Sequence, residues 1–316
     1  MKSLMRAVFA AVALVGAIAT GTPGALSAAE IKIIAVVHGQ ASDPWWSVVK
    51  NGISEAAEAN GVTVEYRAPE TFDMVAMAQL IDAAVNQEPD GIMVSIPDAD
   101  ALGPSIEKAV AAGIPVISMN SGSDVYEKLG ALLHVGQEEY AAGLAAGKAL
   151  KAAGGTKGLC INHEVGNVAL DTRCQGFADG FEGAIVVLPT TNDPSEIKAK
   201  IKASLESDAD LDTALGLSAS LAGEQIVAAV AELGRAGEIK IGSFDLSGGY
   251  LESVRDGEAL FAIDQQPYLQ GFLPVQLLAL NARYGVMPAT AIGSGPNLIT
   301  KDKAAQVIDL ASKGIR

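Results

Sequence analysis

Trp45 and Trp46 are the only tryptophans among 316 residues, and they stand side by side at the start of a helical stretch. The apolar run Ile31 to Val37 before them breaks into a polar loop carrying His38, Gln40, Ser42 and Asp43. A buried parallel strand that ends in polar groups and opens a helix puts those groups at the carboxyl edge of a sheet, where open α/β folds bind ligands. Other strand ends carry Asp98 and Asp100, Asn120 and Ser121, the stretch His163 to Arg173 with Glu164 and Asn167 inside it, Ser218 to Ser220, Asp245 and Gln265. Asp98 and Asp100, in a Pro-Asp-Ala-Asp turn, read as helix N-capping. The rest supply acids, amides, one arginine and two indoles to two facing edges, a mixture suited to a polyhydroxyl ligand. A sugar ring packs its C–H faces on an indole. Its hydroxyls both donate and accept, and carboxylates, guanidinium and amides together can satisfy them. Adjacent helical residues diverge by about 100°, so at most one indole is expected to be buried in its lobe while the other faces the cleft.

Catalytic and metal motifs fail on inspection. His163-Glu164-Val165-Gly166-Asn167 begins like a zinc-protease helix but has Asn167 where the second histidine must stand. Asp208, Asp210 and Asp212 imitate the start of a calcium loop, yet Thr213 replaces the glycine and Ala219 the closing glutamate, which leaves a solvated helix end. There is no G-x-S-x-G elbow, no P-loop and no G-x-G-x-x-G after the first strand. The reading is a binding protein rather than an enzyme, with no cofactor and no metal.

The elements that must position these groups alternate. Strands are expected at Ile31–Val37, Val62–Tyr66, Gly91–Ser95, Ile114–Met119 and Leu129–Val135, with helices at Trp45–Asn60, Met74–Glu88 and Leu102–Ala112 between them. After a helix at Glu138–Ala153 and the pair Gly154-Gly155 the pattern restarts. Strands are expected at Lys157–Ile161, Ala184–Leu188, Ala214–Leu217, Ile239–Phe244 and Ala259–Asp264, and the helices between them are Asp171–Phe181, Pro194–Asp208, Gly223–Gly234 and Tyr250–Asp256. Such βα units with right-handed crossovers build parallel, doubly wound sheets. Ten strands exceed what one open sheet usually holds, so two similar lobes are expected. A helix from Pro267 to Tyr284, a Gly/Pro-rich passage through Gly293 to Pro296 and a last helix at Lys301–Lys313 complete the chain.

The first 29 residues read as a secretory signal peptide: Lys2 and Arg6, an apolar stretch from Ala7 to Ile18, and small residues at Leu26-Ser27-Ala28-Ala29. The apolar stretch is shorter than the roughly 20 residues of a spanning helix. The chain has 22 basic against 37 acidic residues, and cleavage would remove two of the basic ones. An acidic protein repels nucleic acid and anionic lipid, so neither is expected as a partner. Cys160 and Cys174 are the only cysteines. In an exported chain that even count favours a disulfide over two buried thiols.

Asp43-Pro44-Trp45-Trp46 followed by Lys50-Asn51-Gly52 resembles the N-P-F-F…K-x-G signature of the type I periplasmic sugar-binding proteins, the ribose-binding group. Further likeness lies at Asp90 to Val94, Ala112 to Ile117, His134 to Gln137, Arg173 ahead of Gly176-Phe177, Gly242 to Asp245 and Gln265 to Pro267. The resemblance implies two Rossmann-like lobes with parallel sheets joined by a three-stranded hinge. Residues 30–136 plus 266–292 would form the N-terminal lobe and 137–265 plus 293–316 the C-terminal one. It implies a periplasmic, monomeric receptor that closes on a monosaccharide or polyol and presents the closed form to an ABC permease, with a chemoreceptor as a conceivable second reader. Carried over, Trp45 and Trp46 match the family's stacking aromatics, Arg173 its hydroxyl-binding arginine, Asp245 its acid and Gln265 its hinge amide, while Asn120 stands where an aspartate is common. Gly136-Gln137, Gln265-Gln266 and Val286 to Gly295 match the hinges. Ser121 replaces an arginine of the ribose binders and Ser218 an asparagine, which argues against ribose itself. The expected ligand-binding set is therefore Gln40, Asp43, Trp45, Trp46, Asn120, Glu164, Asn167, Arg173, Ser218, Asp245 and Gln265.

Three other readings compete. A receptor for the furanosyl signal autoinducer-2 would share the fold and resembles this chain around Glu70-Thr71 and Val85 to Gln87. A Lac-repressor-type effector domain would need a helix-turn-helix where the signal peptide stands. A periplasmic enzyme would need a nucleophile and base.

Overall fold

Short β-branched runs bounded by Gly, Pro and Asp become two six-stranded sheets in the computed structural model, which describes residues 30–39 and 43–316. The expected signal peptide, residues 1–29, lies outside the described residues. The first half runs β1 (Lys32–Val36), α1 (Pro44–Asn60), β2 (Thr63–Arg67), α2 (Met74–Val85), β3 (Gly91–Val94), α3 (Ala99–Ala111), β4 (Val116–Met119) and β5 (Leu133–Gln137). The second runs α4 (Glu139–Ala152), β6 (Lys157–Asn162), α5 (Val168–Phe181), β7 (Ala184–Pro189), α6 (Pro194–Ser207) and β8 (Thr213–Gly216). A π-helical turn (Ala219–Gly223) follows, then α7 (Glu224–Glu232), β9 (Lys240–Phe244), α8 (Gly248–Asp256) and β10 (Phe261–Asp264). The chain closes with α9 (Pro267–Tyr284), β11 (Ile292–Gly295), β12 (Asn297–Thr300) and α10 (Lys301–Ser312).

The first sheet has the order β11-β5-β4-β3-β1-β2 and the second β12-β10-β9-β8-β6-β7. Each is sandwiched between helices. On the first, α1 and α9 cover one face through Val49, Ile53, Val275 and Leu278, and α2 and α3 the other through Met77, Ile81, Leu102 and Ile106. On the second, α4 and α5 cover one face, and α6, α7, α8 and α10 the other. Both sheets belong to one unit, Ile31–Arg316. In each, the strand order reverses beside the first strand of its half, between β1 and β3 and between β6 and β8, and such a switch point is where doubly wound folds open a crevice.

The helix pairs beside the crevice are set close by glycines. In α4 against α5, a Cβ on Gly143 would lie 2.2 Å from the Arg173 carbonyl oxygen, and one on Gly176 would lie 2.3 Å from that of Tyr140. Only a residue without a side chain permits that approach. The α1 and α9 pair repeats the device: a Cβ on Gly52 would lie 2.2 Å from the Tyr268 carbonyl oxygen.

Two features depart from the expected pattern. The Gly/Pro-rich passage near Pro296 contains the strands β11 and β12, and β12 pairs antiparallel to β10, so the second sheet is not wholly parallel. The carboxyl ends of the parallel strands in both sheets face the crevice. A chain that leaves β11 there and enters the second sheet after a single residue must run back the other way, because a parallel return needs a long crossover. Three segments pass between the sheets, after β5, after β10 and between β11 and β12.

Candidate functional site

The loops at the two switch points meet around a small cavity of about 30 Å³. From the first lobe it is lined by His38, Asp43, Trp45, Trp46 and Asn120, and from the second by His163, Glu164, Asn167, Leu170, Arg173, Leu217 and Asp245, with Gln265 between them. The structure thus brings together nine of the eleven expected residues. Gln40 lies outside the described residues. Ser218 does not line the cavity: in extended backbone geometry it caps the π-helical turn, accepting from the Leu221 N–H at 3.4 Å, while its neighbour Leu217 takes the wall position.

Helix N-termini aim at the cavity from both sides. Asp43 caps α1 by accepting the Trp45 N–H at 3.0 Å, and Asn167 caps α5 by accepting the Ala169 N–H at 3.1 Å. Both indoles sit in the first turn of α1, and both are buried, at 8% and 3% exposure. This corrects the expectation that only one would be. At a helix end that points into the site, residues 100° apart can both reach it. The rings meet edge to face at 4.7 Å, and Trp46 covers the Gly39 backbone so closely that a Cβ there would lie 1.9 Å from the indole. Among the described residues, neither the buried Trp45 Nε1 nor the buried His163 Nδ1 has a hydrogen-bond partner.

Asn120 and Asp245 end equivalent strands, β4 and β9, and both adopt left-handed backbone, φ 60° and 68°, which Asn and Asp tolerate better than most residues. Gln265 ties them together: its Nε2 donates to Asp245 Oδ1 at 2.6 Å, and its Oε1 accepts from Asn120 Nδ2 at 3.4 Å and from Gln270 Nε2 at 3.1 Å. Across the cleft, the Val168 N–H donates to the Pro97 carbonyl at 3.0 Å. His38 Nε2 stands 3.6 Å from Glu164 Oε2. Ser95 Oγ bonds both the His38 N–H and its Nδ1, which fixes the ring.

Arg173 is 3% exposed and stacks over the Phe244 ring at 4.5 Å. Its Nε and Nη2 donate to the two Glu139 carboxylate oxygens at 2.6 and 3.0 Å, a bidentate pair. Burial works against its charge, but Glu139, with Asp245 and Glu164, outweighs that and raises its proton affinity. The next residue, Cys174, is bonded to Cys160 of β6, so a disulfide pins α5 to the sheet. Burial pushes Glu164 and Asp245 up to about 7 and Asp43 up to about 6, and it holds His38 and His163 neutral, down to about 3.

Five participants were not among the expected residues, the apolar Leu170 of α5 among them. His38 and His163 follow β1 and β6, so reading the halves as a repeat would have paired them. Leu217 follows β8, beside the Ser218 that was expected instead. Glu139 had no legible signal, because Glu138 next to it is equally acidic. Glu70 and Thr71 do not line this cavity, nor do Val85 and Asn86.

The sequence matches the model of the periplasmic binding protein domain over residues 34–285. A carbohydrate transporter protein of Acidothermus cellulolyticus 11B, crystallised with myo-inositol, is 34% identical, with a TM-score of 0.86 over 91% of this chain and all of that one. The xylose/arabinose-binding protein of Sulfolobus acidocaldarius is 27% identical over 79% of this chain and 65% of its own length. The D-ribose/D-allose-binding protein of Pseudomonas aeruginosa is 27% identical over 65% of this chain and 66% of its own. The chain therefore spans just under two thirds of the length of these two relatives. With two doubly wound lobes meeting at their switch points and a match across most of its length, this chain belongs to the periplasmic binding protein domain family.

Proposed function

We propose that this protein is the periplasmic substrate-binding component of an ABC importer for a monosaccharide or polyol, and that it binds its ligand without transforming it. One observation carries the reading: a cavity lined mostly by buried side chains joins two indoles from one lobe to an arginine, acids and amides from the other. A ring's C–H face packs on the indoles, and hydroxyls meet Asp43, Asn120, Glu164, Asn167, Arg173, Asp245 and Gln265. The unpartnered Trp45 Nε1 and His163 Nδ1 are also ready for hydroxyls. Further support comes from the relatives, whose names refer to xylose, arabinose, ribose and allose, and from the one crystallised with myo-inositol.

In this reading the lobes, residues 30–136 with 266–292 and 137–265 with 293–316, move as bodies about the three crossing segments. A ligand that touches both lobes stabilises the closed form by its differential affinity, and a permease in the inner membrane reads that form. Calorimetry with D-xylose, L-arabinose, D-ribose, D-allose and myo-inositol tests the proposal. At least one should bind, and Arg173→Ala should weaken that binding about tenfold or more, because hydrogen bonds to charged groups contribute about 1.5–3 kcal/mol. No binding across the panel, or consumption of a bound sugar on incubation, would overturn it.

A further inference from the structure

The charges around the cavity do not balance. Three carboxylates line it: Glu164 and Asp245, both 8% exposed, and the partly buried Asp43. Their hydrogen-bond donors are neutral: the Asn167 amide to Glu164 at 2.8 Å, the Gln265 amide to Asp245 at 2.6 Å and the Trp45 N–H to Asp43 at 3.0 Å. Among the described residues Arg173 is the single Lys or Arg in the lining, and it is shared: both oxygens of Glu139, which is not in the lining, accept from it, and its charge also attracts Asp245 and Glu164. His38 and His163 are buried and neutral. The buried His163 Nδ1, without a partner among the described residues, belongs to the same wall. Four acids, Glu139, Glu164, Asp245 and Asp43, thus stand against one described cation, Arg173, and burial raises the proton affinity of Glu164, Asp245 and Asp43; an anion would add to that excess of acids, and a cation would relieve it.

Resting on the reading of the cavity as a polyol site, we propose that it also takes polyols bearing one primary amine, with the ammonium seated among Glu164, Asp245 and Asp43, and rejects sugar acids and sugar phosphates. An ammonium offers three donors and no acceptor, so it suits carboxylate oxygens and the open His163 nitrogen. A desolvated carboxylate gains more from a cation than from a hydroxyl, since charge-assisted bonds are about twice as strong as neutral ones.

Matched pairs test this in calorimetry at pH 7: myo-inositol against its monoamine, D-glucose against D-glucosamine and D-galactose against D-galactosamine, with D-glucuronate and myo-inositol 1-phosphate as anionic probes. The expected result is that at least one amine binds about tenfold tighter than its neutral parent, while neither anion binds. Glu164→Gln should then cut the ratio of amine to neutral affinity about fivefold or more. A neutral polyol that binds while its amine binds more weakly, or an anion that binds as well as its neutral parent, overturns the inference and leaves the polyol-receptor reading standing. If neither polyols nor amines bind, the receptor reading fails and takes the inference with it. The wild-type comparison decides the matter even if the variant does not fold.

Discussion

Glu139→Gln isolates what holds the site's arginine in place. Glu139 and Arg173 are 5% and 3% exposed and share two bonds of 2.6 and 3.0 Å. The Gln137 amide also donates to Glu139, at 2.9 Å. Removing one charge of a buried pair costs about 3–5 kcal/mol, since the other is left desolvated and uncompensated. Glutamine keeps one acceptor oxygen for Arg173 but turns an NH₂ toward a second donor, so the loss should be near the lower end, about 3 kcal/mol. That is a large share of a typical domain's total of about 5–15 kcal/mol. Urea unfolding followed by circular dichroism reads it as a lower midpoint at unchanged slope. Replacing both partners, Glu139→Leu with Arg173→Met, removes the buried charges together. It leaves chiefly the Gln137 amide without its acceptor, about 1–3 kcal/mol. The double variant should therefore be no less stable than Glu139→Gln alone. A loss below about 1 kcal/mol for Glu139→Gln, or a double variant clearly less stable than the single one, would refute the account of Arg173 as a charge held chiefly by Glu139.

Gly143→Ala would push a methyl to 2.2 Å from the Arg173 carbonyl oxygen, so α5 must move; a loss of about 1–3 kcal/mol in urea unfolding is expected, and wild-type stability would show that the helices have slack. Replacing Cys160 and Cys174 together by alanine should cost about 3 kcal/mol, the loop-closure value for a bridge separated by 14 residues, and an unchanged melting curve would argue against the bridge as a restraint. Asp245 is raised from 3.8 to about 7, first by burial. The folded state then keeps a proton that the unfolded state has released, so its contribution to stability is present below about pH 4 and declines as pH rises to about 7. Asp245→Asn lacks this decline, and its stability relative to wild type should climb by up to about 1.4 kcal/mol per pH unit in that window and level off above it. A pH-independent difference between the two would contradict the burial argument.

Much of this was legible because it is local. Alternation of β-branched runs with helical stretches marked most strands and helices to within a few residues. Asp98 caps α3 as its Pro-Asp-Ala-Asp context implied, accepting the Asp100 and Ala101 N–H groups at 3.0 Å. Gly61 ends α1 in left-handed geometry. The elements missed were β11 and β12, whose Gly-Ser-Gly-Pro-Asn stretch has weak strand propensity and is held by neighbouring strands instead. Ser218 failed as a wall residue because backbone direction at a strand end, not residue type, decides which of two neighbours faces the cavity.

By itself, then, the sequence determined the fold class and the edges at which polar groups gather, since periodicity and turn chemistry are properties of a few consecutive residues. Only the tertiary structure decided that both indoles are buried, that His38 of one lobe stands opposite Glu164 of the other, and that Arg173 pairs with Glu139. Those facts depend on pairs 34 or more residues apart. Which partner a buried charge finds is set by how distant helices pack against one another, as α4 does against α5, and no local pattern encodes it.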